Sequence, residues 1–157
     1  MKPLQRFETN AGRAIYAFPV RSFPTLTNNI YVIDDGEQYV LIDTGSGMER
    51  PNADLLAGFT AIGEHLGRPF SPANIGTILI THGHIDHFGG LPFLRQYTDA
   101  PAGVHILDRR VLSHHEERMV FAYRRLETFL EGAGVSAEER VVLMLSLIHI
   151  SEPTRPY

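Results

Sequence analysis

The sequence predicts an α/β chain in layers, with strands leading and helices interleaved behind them, and three stretches predict it. Two β-rich runs, residues 29–34 and 38–43, are joined by Asp35-Gly36, the pattern of an antiparallel hairpin, because Gly tolerates the positive φ of a tight turn. A helical pattern from about Pro51 is followed by the apolar run Ile75 to Ile80, so a helix links the hairpin to a further strand. That run opens into Thr81-His82-Gly83-His84-Ile85-Asp86-His87-Phe88-Gly89-Gly90, four metal-type donors in a loop between a strand and a helix.

The elements follow in chain order. Residues 13–20 are β-prone and give an early strand, with Pro19 at an edge or an end. After the hairpin, Thr44-Gly45-Ser46-Gly47 makes a flexible turn. Leu55, Phe59, Ile62 and Leu66 recur at helical spacing, with Gly67 as C-cap and Pro69 barring continuation. Ile75 to Ile80 reads as a buried strand. A helix begins near Pro92, a favoured first-turn position for proline. Residues 103–107 suggest a short strand with His105 in its middle. A helical region runs from about Arg110 to Glu131, with Met119, Ala122, Leu126 and Phe129 on its apolar face, and Gly132 and Gly134 break it. Ser136 and Glu139 form a capping box for a last helix.

The balance of residues excludes several classes. The chain has 157 residues, 43% hydrophobic and 20% charged, ordinary for one globular core. A net charge of −4, with basic residues clustered only in pairs, argues against a nucleic-acid partner. The absence of cysteine leaves nitrogen and oxygen as the only metal donors. No stretch has the length of a membrane span and no secretory signal opens the chain, so the expectation is a cytoplasmic protein with a small-molecule substrate and no membrane partner. Nothing in the sequence sets the oligomeric state.

In an extended loop, side chains two apart point the same way, so His82 and His84 can converge on one ion. Asp86 and His87 lie one step further, where the chain turns into a helix, and can face a second. Zinc suits imidazole and carboxylate donors. Two ions about 3.5–4 Å apart can share a hydroxide and clamp the oxygens of a reacting group, and the metal lowers the pKa of its water toward ~7. The loop glycines, Gly83 and Gly89-Gly90, are expected to give the backbone freedom to turn. The other histidines read as structural: His65 beside a helix C-terminus, His105 in a strand, His114 and His115 on a solvated helix.

With these pieces in place, the chain resembles the metallo-β-lactamase-fold hydrolases. Asp43-Thr44-Gly45 and His82-x-His84-x-Asp86-His87 with Gly89-Gly90 carry the resemblance. It implies the N-terminal half of an αββα sandwich over roughly residues 13–144. It also implies metal ligands His82, His84, Asp86 and His87, with Asp86 in the catalytic role, and Asp43 holding a ligand histidine by a hydrogen bond. The implied cofactor is zinc, two ions in the full-length parent, with iron or manganese as substitutes. The implied reaction is hydrolysis of an acyl substrate (thioester, lactone or similar ester or amide) by a metal-bound hydroxide. The Thr-His-x-His-x-Asp-His-x-Gly-Gly form is similar to that of glyoxalase II-like enzymes and lactonases. Two alternatives stand beside it: a mono-iron persulfide dioxygenase-like oxidoreductase, and a non-catalytic metal-binding or regulatory member of the fold.

Residues 145–155, Leu-Ser-Leu-Ile-His-Ile-Ser-Glu-Pro-Thr-Arg, resemble the translation of a sequencing-library adapter. The expected organisation is a truncated domain over 1–144 and a non-native tail over 145–157, with His149 not counted as a ligand. The family's later ligands, two histidines and a bridging aspartate, have no counterpart between Asp108 and Met144. The chain as given is therefore expected to bind metal weakly and to be impaired as an enzyme, and the helices after Arg110 are expected to cover the mouth of the site.

Overall fold

The computed structural model describes residues 4–143, without the side chains of 115, 116 and 118. Six strands form one sheet in the order β1 to β6. β1 (Gln5–Glu8), β2 (Ala14–Phe23), β3 (Leu26–Asp34) and β4 (Tyr39–Ile42) run antiparallel to their neighbours. β5 (Ile75–Ile80) and β6 (Ala102–Val104) continue the sheet parallel to β4. Parallel neighbours need crossovers. α1 (Glu49–Leu66) supplies the first, and the short helices α2 (Ile85–Phe88) and α3 (Leu91–Leu94) lie in the second.

α1 packs over the sheet because Leu55, Phe59 and Ile62 recur on one face, and all three are buried. Tyr16, Phe18, Val20, Ile30, Val32, Leu41, Ile78 and Ile80 of the sheet are buried as well. The Phe18 and Phe59 rings lie 6.2 Å apart, edge to face. Each large side chain buried here stabilises the fold by about 1.5–3 kcal/mol. Gly67 ends α1 in the left-handed conformation, φ 65°, as its position predicts. His65 lies in the last turn, its ring edge-on to Tyr16.

The hairpin forms where the sequence places it, with Asp34 opposite Tyr39. Its loop is held by Asp35, whose Oδ1 accepts the N–H groups of Glu37 at 2.9 Å and Gln38 at 2.8 Å. The N–H of Gln38 first, then that of Glu37, hold the Asp35 carboxyl below the ordinary carboxylate range. The folded loop therefore releases this proton more readily than the unfolded chain. Its contribution is full above the ordinary Asp value, about 3.9, and is lost as pH falls through the lower folded value. Amide exchange at Glu37 and Gln38 should lose protection on acidification through that window. The D35A variant should show weak protection with no such pH step.

Several expectations change. β1 escaped notice because all four of its residues are exposed and carry no apolar alternation. Pro19 lies within β2 rather than at its end. It is tolerated because β1 pairs only as far as Ala17, so β2 has one neighbour at Pro19. β3 begins at Leu26, three residues earlier than the apolar run suggests. β5 matches its predicted bounds but is only half-buried, since Leu79 on the open face is 43% exposed. β6 stops at Val104 and a helix starts at Ile106, so His105 lies in a junction, not in a strand.

Two compact units divide the chain, Met1–His105 and Ile106–Tyr157. In the second, the predicted single helical region is two helices, α4 (Ile106–Ser113) and α5 (His115–Gly132), separated at His114. The half-buried row on α5 is Met119, Tyr123, Leu126 and Leu130, whereas Ala122 and Phe129 are exposed. The predicted capping box is present: Glu139 Oε2 accepts from Ser136 N at 3.1 Å, and Glu139 N donates to Ser136 Oγ at 3.3 Å. The adapter-like stretch 145–155, with His149, lies outside the described residues. Among the described residues no helix is long and apolar enough to cross a membrane.

Candidate metal centre

Strand direction gathers the site. β4 and β5 run parallel, so the loops after them leave the same sheet edge. β3 is antiparallel to β4, which brings the start of β3 to that edge, and the end of β2 comes with it. Ser22, Asn28, the 43–47 turn and the 81–90 loop therefore meet, although up to 64 residues separate hydrogen-bonded partners.

Asp43 follows β4 with φ 64°, a left-handed conformation uncommon outside glycine that Asp and Asn tolerate best. The reversal turns its carboxylate toward the end of β5. Asp43 Oδ1 accepts the Thr81 N–H at 2.8 Å, and Oδ2 lies 2.8 Å from His87 Nδ1. The Thr81 hydroxyl is 2.9 Å from the same Oδ2 and 3.0 Å from His82 Nδ1. A carboxylate only accepts, so the Thr81 proton goes to Asp43 and the Thr81 oxygen accepts from His82 Nδ1. This network assigns the tautomers. In the neutral form both imidazoles then carry their proton on Nδ1 and turn the Nε2 lone pair outward.

Those lone pairs have close neighbours. His82 Nε2 is 3.0 Å from His84 Nδ1. His87 Nε2 is 3.4 Å from Asp86 Oδ2. The rings of His82 and His87 lie 4.0 Å apart, and those of His82 and His84 4.6 Å. The two-apart alternation thus does bring His82 and His84 together, and Asp86 with His87 forms a second pair. Two donors bound to one tetrahedral zinc at about 2.0–2.1 Å stand roughly 3.3 Å apart, close to both separations. Among the described residues no group of three such side chains is disposed to hold an ion by itself. The chemistry of these nitrogen and oxygen donors suits a metal ion such as zinc.

The scaffold beneath the loop is a backbone-to-backbone contact. Thr44 N donates to His87 O at 2.7 Å, and Gly90 N donates to Gly45 O at 3.0 Å. A Cβ on Gly89 would overlap the Ser46 carbonyl oxygen, and one on Gly90 the Thr44 carbonyl oxygen. Gly89 and Gly90 have right-handed helical φ values, −60° and −77°, and Gly83 is not among the residues of positive φ. Gly89 and Gly90 therefore serve close approach rather than the freedom to turn that the sequence suggested. α3 spans only four residues, so the dipole expected beyond Gly90 is small.

Sequence reasoning missed Asn28, Ser22 and Ser46. Asn28 Nδ2 donates to Asp86 Oδ2 at 2.9 Å and to Asp86 O at 3.0 Å. Ser22 Oγ reaches Asp86 O at 3.4 Å, and Ser46 Oγ donates to Ser22 O at 2.7 Å. One signal was available for Asn28: extending the period-2 alternation of Ile30 and Val32 backward places it on their inward face.

Known proteins resemble the chain in sequence and in fold. Over 66 residues the chain is 41% identical to an atrochrysone carboxyl ACP thioesterase of Aspergillus fumigatus, covering 42% of this chain and 18% of that protein. It is 31% identical over 109 residues to the atrochrysone carboxyl ACP thioesterase dmxR1 of a Cryptosporiopsis species, 67% of this chain and 31% of that one. Ribonuclease J of Mycoplasma genitalium is 34% identical over 89 residues, 55% and 15% respectively. The chain thus spans less than a third of the length of each of these relatives. Among solved structures, the FEZ-1 metallo-beta-lactamase of Legionella gormanii superposes with TM-score 0.51 at 24% identity, over 70% of this chain and 36% of that one. MEM-A1, a subclass B3 metallo-beta-lactamase from a soil metagenome library, gives 0.51 at 22% identity, over 71% and 36%. The sequence model of the metallo-beta-lactamase superfamily matches residues 24–154, which takes in β3, the Asp43 turn and the whole histidine loop. The chain belongs to the metallo-beta-lactamase superfamily.

Proposed function

We propose that this chain carries the first half of the ligand set of a dinuclear metallohydrolase acting on an acyl substrate of the thioester or ester kind. The observation that carries it is the pairing of donors: His82 Nε2 with His84 Nδ1, and His87 Nε2 with Asp86 Oδ2. In this reading His82 and His84 hold one ion, and Asp86 and His87 hold the other. Bound there, zinc supplies Lewis-acid polarisation of the acyl carbonyl and water that ionises near neutral pH. Asp43 favours the His87 proton on Nδ1, and the Thr81 oxygen does the same for His82, so each neutral ring offers Nε2 as its ligand nitrogen. Asp86 is 9% exposed, and its partial desolvation strengthens its pull on a cation.

Similarity to two thioesterases and the net charge of −4 favour an acyl over a polyanionic substrate. Similarity to ribonuclease J supports phosphodiester cleavage as a second reading. A cytoplasmic location belongs to the same proposal.

Zinc competition against a chromophoric chelator tests the centre. D86A should weaken the second equivalent by about 100-fold or more, since loss of a ligand exceeds the 10–100-fold typical of its supporting contacts. Unchanged affinity in D86A would overturn the assignment. A panel of S-acyl thioesters, esters and bis-p-nitrophenyl phosphate, offered to the zinc-loaded chain, tests the class. Cleavage of the phosphodiester alone would favour the second reading.

A further inference from the structure

We propose that Asn28 is the positioning residue of the Asp86–His87 donor pair, holding it in register for the second ion independently of the His82–His84 pair. The inference rests on the metal-centre reading and extends it to a residue on another strand.

Asn28 stands near the start of β3, opposite Val20 of β2, on the face that Ile30 and Val32 turn into the core. A polar side chain at the end of an apolar row needs partners, and it finds them on the loop. Its Nδ2 lies 3.0 Å from Asp86 O, 2.9 Å from Asp86 Oδ2 and 3.3 Å from His87 Nε2. The first of these fixes the amide orientation. A backbone carbonyl oxygen can only accept, and an ionised carboxylate can only accept, so the face toward Asp86 must be the NH2 group. Turning the amide over would set Oδ1 against two acceptor oxygens. Asn28 therefore acts through Asp86 and is not itself a ligand.

The proton count then becomes informative. The NH2 group has two protons, and three acceptor atoms surround it. Asp86 O and Oδ2, at the two shortest distances, take both. The lone pair on His87 Nε2 is left beside Asp86 Oδ2, at 3.4 Å, with no amide proton committed to it. Asn28 thus pins the main chain and the carboxylate of Asp86 together, which sets the side-chain torsion of Asp86, without consuming the His87 donor. His87 is fixed separately from behind, by Asp43 at 2.8 Å. His82 takes its support from Thr81, which in turn shares Asp43 with His87, whereas, among the described residues, the polar side-chain contacts of Asn28 run to Asp86 and His87 alone.

Cobalt titration of the whole chain, followed by its d–d absorption, reads the two halves separately. In N28A the first equivalent should bind with wild-type affinity and spectrum, and the second should weaken about 10–100-fold with an altered band shape. The unchanged first spectrum shows that the loop is still folded. Wild-type binding of both equivalents in N28A would overturn the proposal. Equal weakening of both would also overturn it, by making Asn28 a general support of the loop. A wild-type chain that binds no second cobalt would instead sink the dinuclear reading itself, and Asn28's role with it.

Discussion

Replacing Asp43 with alanine is expected to have the largest effect on the centre. The carboxylate is 5% exposed and serves three donors, the Thr81 N–H, the Thr81 hydroxyl and His87 Nδ1. D43A removes all three bonds at once and keeps the left-handed backbone, which alanine tolerates poorly. Hydrogen bonds to a charged acceptor contribute about 1.5–3 kcal/mol each, but Thr81 is exposed and recovers part of its loss from water. A net destabilisation of about 2–4 kcal/mol follows, read as a shift in the denaturant midpoint at unchanged slope. His87 also loses the partner that sets its tautomer, and zinc affinity should fall by about 10–100-fold. D43N is the informative control. Asparagine accepts the left-handed φ and retains one acceptor oxygen, so it should regain most of the stability while leaving His87 Nδ1 or Thr81 underserved. A D43A chain as stable as wild type, with unchanged zinc affinity, would refute the role drawn for this residue.

Adding one methyl group at Gly90 is expected to come second. The new Cβ would overlap the Thr44 carbonyl oxygen, a backbone atom with little room to yield. Gly90 N also donates to Gly45 O and to Thr44 Oγ, so the two loops cannot part without losing those bonds. Overpacking of this kind costs about 1–3 kcal/mol, at the upper end here because backbone faces backbone. Because the contact joins the 43–47 turn to the histidine loop, G90A should also weaken zinc binding, although no donor is touched. Gly132, where an added Cβ meets nothing within 4 Å, supplies the contrast: G132A should leave zinc binding unchanged. Equal behaviour of G90A and G132A would show that the close approach is dispensable.

The local signals in this sequence were strong where local chemistry decides the outcome. The Asp35-Gly36 loop, the apolar row of α1 with Gly67 behind it, the bounds of β5 and the Ser136–Glu139 box each depend on a few neighbouring residues. The donor pairing of His82 with His84 follows equally from alternation along one short loop. The errors arose where a tertiary neighbour overrides the local pattern. β1 exists because β2 offers an edge to pair with, Pro19 is tolerated because β1 ends early, and His105 leaves the strand because α4 begins at once.

By itself, then, the sequence determined the family and set three histidines and an aspartate in one loop, with another aspartate just after β4, because these are written in motifs only a few residues long. Tertiary structure alone decided which atoms meet. Antiparallel pairing of β3 with β4 brings Asn28 across 58 residues to Asp86. Parallel pairing of β4 with β5 sets Asp43 against His87. Close backbone approach gives Gly89 and Gly90 their purpose. Such contacts depend on strand order and direction, and no stretch of chain encodes them locally.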